Sequence, residues 1–206
     1  MPIERTHALV LAAGAGRRFG GGKLLAPLAG KPLVLLAVEA ALASAVEAVT
    51  VVLGSNAEDF QNALSPLADA RLRTLVCAEW DQGLSASLRC GIDSLPDDAR
   101  AAVIFLGDMP QVPTELANRV LTAVIDGAPA ALPVCDGRPA HPVAIAGAIF
   151  PEVRRLTGDQ GARALLEQMP GALHIASDDP GSIRDVDTVE DLRDLAAAGN
   201  AGRVWS

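Results

Sequence analysis

Residues 12–23 read AAGAGRRFGGGK, with five glycines, two arginines and a lysine in twelve positions, directly after the apolar run HALVLAA. Glycine backbone accepts positive φ, and without side chains several N–H groups can turn inward onto one anion. Arg17 and Arg18 at the turn and Lys23 at its far end add fixed cations. That many donors suit a triphosphate, whose charge must be neutralised along its length. The bland alternative is a glycine-rich loop with solvated basic residues.

Two named phosphate motifs fail here. A P-loop needs GxxxxGK[ST]. Gly16 and Gly21 have the first spacing, but Gly22 follows where lysine is required, and Leu24 follows Lys23 where a hydroxyl is required. The dinucleotide fingerprint GxGxxG matches at Gly14 and Gly16 but meets Phe19 at its third position. No acidic residue stands at a strand end about 20 residues on, where a ribose contact is expected. An NAD(P)-dependent oxidoreductase is therefore a remote reading.

Five further stretches carry chemistry. FLGDMPQV (105–112) sets Asp108 just past a strand end. A carboxylate there, beside a triphosphate, is placed to hold Mg2+, a hard cation that takes oxygen ligands; it could equally form a turn or cap the next helix. RDVDTVEDL (184–192) alternates Asp185 and Asp187 around Val186, so an extended segment points both carboxylates to one side. WDQGLSASLRCG (80–91) offers a glycine turn and a serine-capped helix start, with Gly83, Ser85 and Ser87 as donor candidates or as a plain cap. RPAHPV (138–143) and TGDQGARALLE (157–167) put His141 off any periodic face. They also place Arg163 in the first turn of a helix that Asp159 could cap. A cation at that end opposes the helix dipole, which makes sense if Arg163 serves an anion. A solvated arginine and a loop histidine are the alternative.

The 206 residues carry a net charge of −8, with 50% hydrophobic and 20% charged residues. A full core is expected, and nucleic-acid or membrane-surface binding is not, since both call for a basic face. No apolar run approaches the roughly 20 residues of a membrane span. The start MPIERTHALVLAAG lacks signal-peptide order, and Cys77, Cys90 and Cys135 are scattered. Together these point to a cytoplasmic protein without disulfides or a zinc site.

Apolar runs alternate with amphipathic stretches. Strands are expected at 7–13, 48–54, 71–77 and 101–108, with helices after Pro32, around 57–65, from Ser85 and from Pro113. Beyond residue 130 strands are expected at 130–135 and 142–147, and helices near 148–156, 161–169 and 189–198. Thr188 and Asp191 form a capping-box variant for the last helix, and 199–206 reads as a frayed tail. This rhythm predicts an α/β fold: a mostly parallel central sheet with helices on both faces. One domain spans 1–206.

LVLAAGAGRRFGGGKLLAPLAGKPL resembles the LAAGxGxRxG…K…L…G.PL signature of nucleotidyltransferases that activate sugars, isoprenoid precursors and the molybdenum cofactor. The resemblance implies a Rossmann-like three-layer α/β/α fold. It implies that Leu11, Ala12, Ala13, Gly14 and Gly16 wrap a nucleoside triphosphate, and that Arg17 and Lys23 grip its phosphates as catalytic residues. GDMP matches the family's metal-binding aspartate at Asp108, and RDVDTVEDL resembles the DIDTPEDL-like segment whose central residue, here Asp187, completes the Mg2+ site. Gly83, Ser85 and Ser87 fall in the loop that lies against the nucleobase. HPV together with GDQGAR is narrower and is similar to the molybdenum cofactor cytidylyltransferases. There His141, Asp159, Gly161 and Arg163 would flank the pterin-side acceptor, although Ala140 replaces the usual glycine before the histidine. The implied substrates are CTP and molybdopterin cofactor, with a molybdoenzyme or its maturation chaperone as partner. The nucleotide-binding half would be about 7–127 and the acceptor half about 128–198. The alternatives are a guanylyltransferase, another nucleotidyltransferase with a different phosphorylated acceptor, or a non-catalytic nucleotide-binding maturation factor.

Overall fold

The computed structural model describes residues 1–200, apart from 15, 17, 18, 55 and 168. Arg17 therefore lies outside the described residues, as does the expected tail from 201 on.

The chain runs β1 (Ile3–Ala12), β2 (Pro27–Leu28), β3 (Lys31–Pro32), α1 (Leu33–Ala43), β4 (Val46–Leu53), α2 (Ala57–Leu64), β5 (Leu72–Val76), α3 (Leu84–Asp93), β6 (Ala101–Leu106) and α4 (Thr114–Ile125). It continues through β7 (Ala130–Cys135), β8 (Arg138–Pro139), β9 (Val143–Ala146), α5 (Phe150–Val153), α6 (Ala162–Leu166), β10 (Leu173–Ala176) and α7 (Val189–Asn200). The main sheet has the order β10-β7-β9-β6-β1-β4-β5, with β8 beside β7; β2 and β3 form a separate ribbon. β1 pairs in parallel with both β4 and β6, and β4 with β5. β9 runs antiparallel between β6 and β7.

Side-chain alternation builds the three layers. On β1, Ala8, Val10 and Ala12 join one apolar cluster with Val38 of α1, Phe60 of α2 and Val120 of α4. Leu9 and Leu11 point the other way, against Leu88 of α3, Val153 of α5 and Leu166 of α6. A strand buried on both faces reads as an unbroken apolar run, which is why HALVLAA was legible. The α/β/α sandwich with a mostly parallel sheet is thus present. No helix among the described residues is long and apolar enough to cross a membrane.

Chain order reverses at β1: β4 and β5 lie on one side of it and β6 on the other. Leu11 sits opposite Leu106 there. Open α/β sheets hold ligands outside the carboxyl ends of strands at such a switch point. The loops after β1 and β6 meet at that edge.

Four local expectations are corrected. Gly83, not Ser85, caps α3, because only glycine adopts its φ of 104° without strain. Gly161, not Asp159, caps α6. The region 148–156 gives only a 3-10 turn and the four-residue α5, since Pro151 fits only a first turn. β10 is an added edge strand whose mixed pattern, LHIA, carries little alternation. Thr188 and Asp191 do form the expected reciprocal cap: the Asp191 amide donates to Thr188 Oγ1 at 3.1 Å, and the Thr188 amide donates to Asp191 Oδ2 at 2.6 Å.

Candidate active site

The loop after β1 closes on itself through Gly16. Its carbonyl accepts from the Phe19 and Gly21 amides at 3.0 and 3.2 Å. Gly16 has φ +57°, and a Cβ there would sit 2.8 Å from Lys23 Cβ. The missing side chain lets the lysine backbone fold back under the loop.

Lys23 then points at two carboxylates. Its Nζ donates to Asp108 Oδ2 at 2.7 Å and to Asp187 Oδ1 at 3.1 Å. Burial, the largest influence, works against the charged ammonium. It is outweighed by the charge of Asp108 and by hydrogen bonds to both aspartates, so Lys23 is held above the ordinary lysine value.

Asp108 comes from the middle of the chain and Asp187 from near its C-terminal end, and the two are tied together by the backbone. The Val186 amide donates to the Asp108 carbonyl at 3.0 Å. Val186 is fully buried with Leu28, Leu33, Leu36 and Leu195, which pins the segment from behind. The Asp187 amide also donates to Asp191 Oδ2 at 3.0 Å, so the α7 cap fixes the carboxylate's position. Asp185 turns toward a second cavity and is held above the usual carboxylate range, by burial first and then by the charges of Asp187 and Asp108.

A cavity of about 640 Å³ opens over this cluster, lined by Leu11, Ala13, Gly14, Gly16, Lys23, Asp108 and Asp187, and by Trp80, Gly83 and Ser87 further along. Ala12 is buried in the core beneath it. Ser85 is fully buried and lines neither cavity; its amide donates to the Gly158 carbonyl at 3.0 Å. Gly83 makes that contact possible, since a Cβ there would fall 2.5 Å from the same carbonyl oxygen.

The second cavity, about 520 Å³, is lined by His141, Asp159, Gly161 and Arg163, together with Arg138, Ser182 and Asp185. The two cavities share Leu11, Leu84, Leu106 and Asp159. His141 is buried, unlike the loop residue its flanking prolines suggest, and its Nδ1 has no hydrogen-bond partner among the described residues. Burial, and then the positive charge of Arg163, push its pKa down to about 4. It is therefore neutral at pH 7 and offers a hydrogen bond rather than a charge. Arg163 is half exposed and pairs with Glu167 four residues on at 3.4 Å, which offsets its place at the start of α6. Arg138, Ser182 and the wall residue Trp80 were missed from sequence. Arg138 and Trp80 open the stretches 138–143 and 80–91, whose histidine, glycine and serines draw the eye instead, and no spacing or motif marks Ser182.

Asp108 and Asp187 both accept from the Lys23 ammonium, on hard oxygen donors. That donor chemistry fits a divalent ion such as Mg2+ or Mn2+. Among the described residues no group of three or more His, Cys, Asp or Glu is gathered to hold a metal. An ion on this pair would take its remaining ligands from phosphate and water, the usual arrangement for Mg2+.

A model of the MobA-like NTP transferase domain matches residues 8–173. The chain is 30% identical over 190 residues to the purine catabolism protein PucB of Bacillus subtilis (strain 168), covering 88% of this chain and 91% of that protein. It is 32% identical over 157 residues to the 2-C-methyl-D-erythritol 4-phosphate cytidylyltransferase of Streptomyces avermitilis, spanning 72% of this chain but 63% of that one. The crystal structure of Rv0371c from Mycobacterium tuberculosis H37Rv in complex with manganese superposes with a TM-score of 0.77 at 25% identity, covering 94% of this chain and 98% of that one.

Proposed function

The chain belongs to the MobA-like NTP transferase domain family of nucleotidyltransferases, and on that premise we propose that it transfers CMP from CTP to the phosphate of molybdopterin (molybdenum) cofactor, releasing pyrophosphate. The observation that carries this reading is the pair of adjoining cavities. One holds Lys23, Asp108 and Asp187, the other His141 and Arg163, and they share a wall. A two-substrate transfer needs two such pockets meeting at the reacting atoms.

An oxygen of the acceptor phosphate attacks the α-phosphorus of CTP. The new P–O bond forms as the bond to the bridging oxygen of the β-phosphate breaks, and pyrophosphate leaves. No covalent intermediate on the chain is required; positioning and charge neutralisation do the chemistry. The backbone from Leu11 to Gly16 lies along the nucleotide, with Arg17 and Lys23 on its phosphates. Gly83 and Ser87 face the base. Asp108 and Asp187 would hold Mg2+, which would supply charge neutralisation at the α-phosphate. His141, Asp159, Gly161 and Arg163 orient the acceptor, with neutral His141 donating or accepting one hydrogen bond. Nucleotide contacts thus fall in about 7–127 and acceptor contacts in about 128–198 of one domain.

A second reading keeps CTP and changes the acceptor. The 32% identity to a 2-C-methyl-D-erythritol 4-phosphate cytidylyltransferase favours it. Pyrophosphate release from CTP, GTP, ATP and UTP, with Mg2+ and with or without molybdenum-loaded pterin, separates the two. Release from CTP that requires the pterin supports the first reading. Release with another phosphorylated acceptor only, or from GTP only, contradicts it.

A further inference from the structure

We propose that Trp80 is the surface on which the nucleobase stacks; this rests on the nucleotide-transfer reading above. In the first cavity Lys23, Asp108 and Asp187 form one tight charged cluster, while a separate stretch brings Trp80 to the wall together with Asp81. Trp80 is the one aromatic side chain among the described residues that line it. A nucleoside triphosphate has the same asymmetry, with charged phosphates at one end and a flat π-face at the other. With the phosphates on Lys23, the base comes to the end formed by Trp80, Gln82, Gly83 and Ser87.

The indole is held from behind. It begins the 3-10 turn Trp80–Gln82 and packs against the apolar cluster under α3. Its ring also lies over Gly54, just past β4. A Cβ at position 54 would sit 3.1 Å from Trp80 Cγ and Cδ2 and 2.6 Å from the Ala13 carbonyl oxygen. Glycine at 54 therefore allows the ring to lie flat on the sheet edge, next to the nucleotide loop. Trp80 is half-buried and lines the cavity. A fixed aromatic platform gives affinity to any base, because every base has a π-face. It follows that Trp80 contributes to binding and that base choice rests with polar neighbours such as Asp81 and Gln82.

The test uses the full chain with Trp205→Phe, which leaves Trp80 as the single tryptophan. CTP and GTP should both change its fluorescence, and inorganic triphosphate should not. By calorimetry, Trp80→Leu should weaken CTP binding roughly tenfold while inorganic triphosphate binds as before. Trp80→Phe should restore CTP binding to within about twofold. If Trp80→Leu binds CTP like the parent, the stacking role is wrong and the nucleotide reading stands. Equal losses for CTP and inorganic triphosphate would make Trp80 merely structural and overturn the inference. If the parent binds no nucleotide, both fall together.

Discussion

Lys23 Nζ and Asp108 Oδ2 meet at 2.7 Å across 85 residues of chain. The same ammonium reaches Asp187 at 3.1 Å, with the lysine side chain only 11% exposed. The lysine thus sits where a divalent cation would bind, and the two compete for the carboxylates. Lys23→Met should bind Mn2+ more tightly than the parent when no nucleotide is present, as read by the loss of free-ion EPR signal. Its turnover should still fall about 10²–10³-fold, since the phosphates lose their cation. Weaker Mn2+ binding by this variant would show that the carboxylates do not form the metal site.

Gly83, at the start of α3, packs directly on Gly158 of the loop before α6. A Cβ at Gly83 would stand 2.5 Å from the Gly158 oxygen, at a φ of 104°. Gly83→Ala should cost about 1–3 kcal/mol of stability, measured by urea unfolding. It should also raise KM for both proposed substrates, because the neighbours of the two glycines, Leu84 and Asp159, line both cavities.

The α7 cap holds a site residue as well as a helix. Asp191 Oδ2 accepts from the Asp187 amide, and Thr188 Oγ1 accepts from the Asp191 amide. Thr188→Ala should cost about 1 kcal/mol of stability. Mn2+ affinity should fall with it, as Asp187 loses its fixed position. Unchanged metal affinity in a variant with the expected stability loss would separate the cap from the site.

His141 sets a pH signature. Burial, and then the charge of Arg163, lower its pKa from 6.5 to about 4 in the folded chain. The unfolded chain binds the proton first, so this contribution to stability is complete above pH 6.5. It is lost as pH falls toward 4 and is gone below that. The loss amounts to about 3 kcal/mol. Urea unfolding from pH 7 to pH 4 should show a shallower decline for His141→Gln than for the parent. Parallel curves would mean that His141 is not buried neutral.

How much of this was legible follows from where each signal lives. β1 and β6 are buried on both faces, so composition alone marked them, and the glycine loop between β1 and Lys23 was local in sequence. Asp108 stood out as a strand-end carboxylate. Its junction with Asp187 did not, because that depends on the Val186 amide reaching the Asp108 carbonyl and on Val186 packing under α1. Such long-range pairing leaves no periodic trace; only family resemblance pointed to it. The caps differ from expectation at Ser85 and Asp159, where propensity favours a polar side chain but close packing selects glycine: a Cβ at Gly83 would meet the Gly158 carbonyl, and one at Gly161 the Leu84 side chain. Trp80 and Arg138 line the cavities by tertiary placement alone.

The most direct test of the transfer itself follows the α-phosphate. CTP labelled at the α-phosphorus is incubated with the enzyme, Mg2+ and molybdenum-loaded pterin, and the products are separated. The label should appear in the pterin product in amounts equal to the pyrophosphate released, and Asp108→Asn should abolish both. Label recovered only as free CMP, or pyrophosphate formed without any labelled pterin, would contradict CMP transfer to this acceptor.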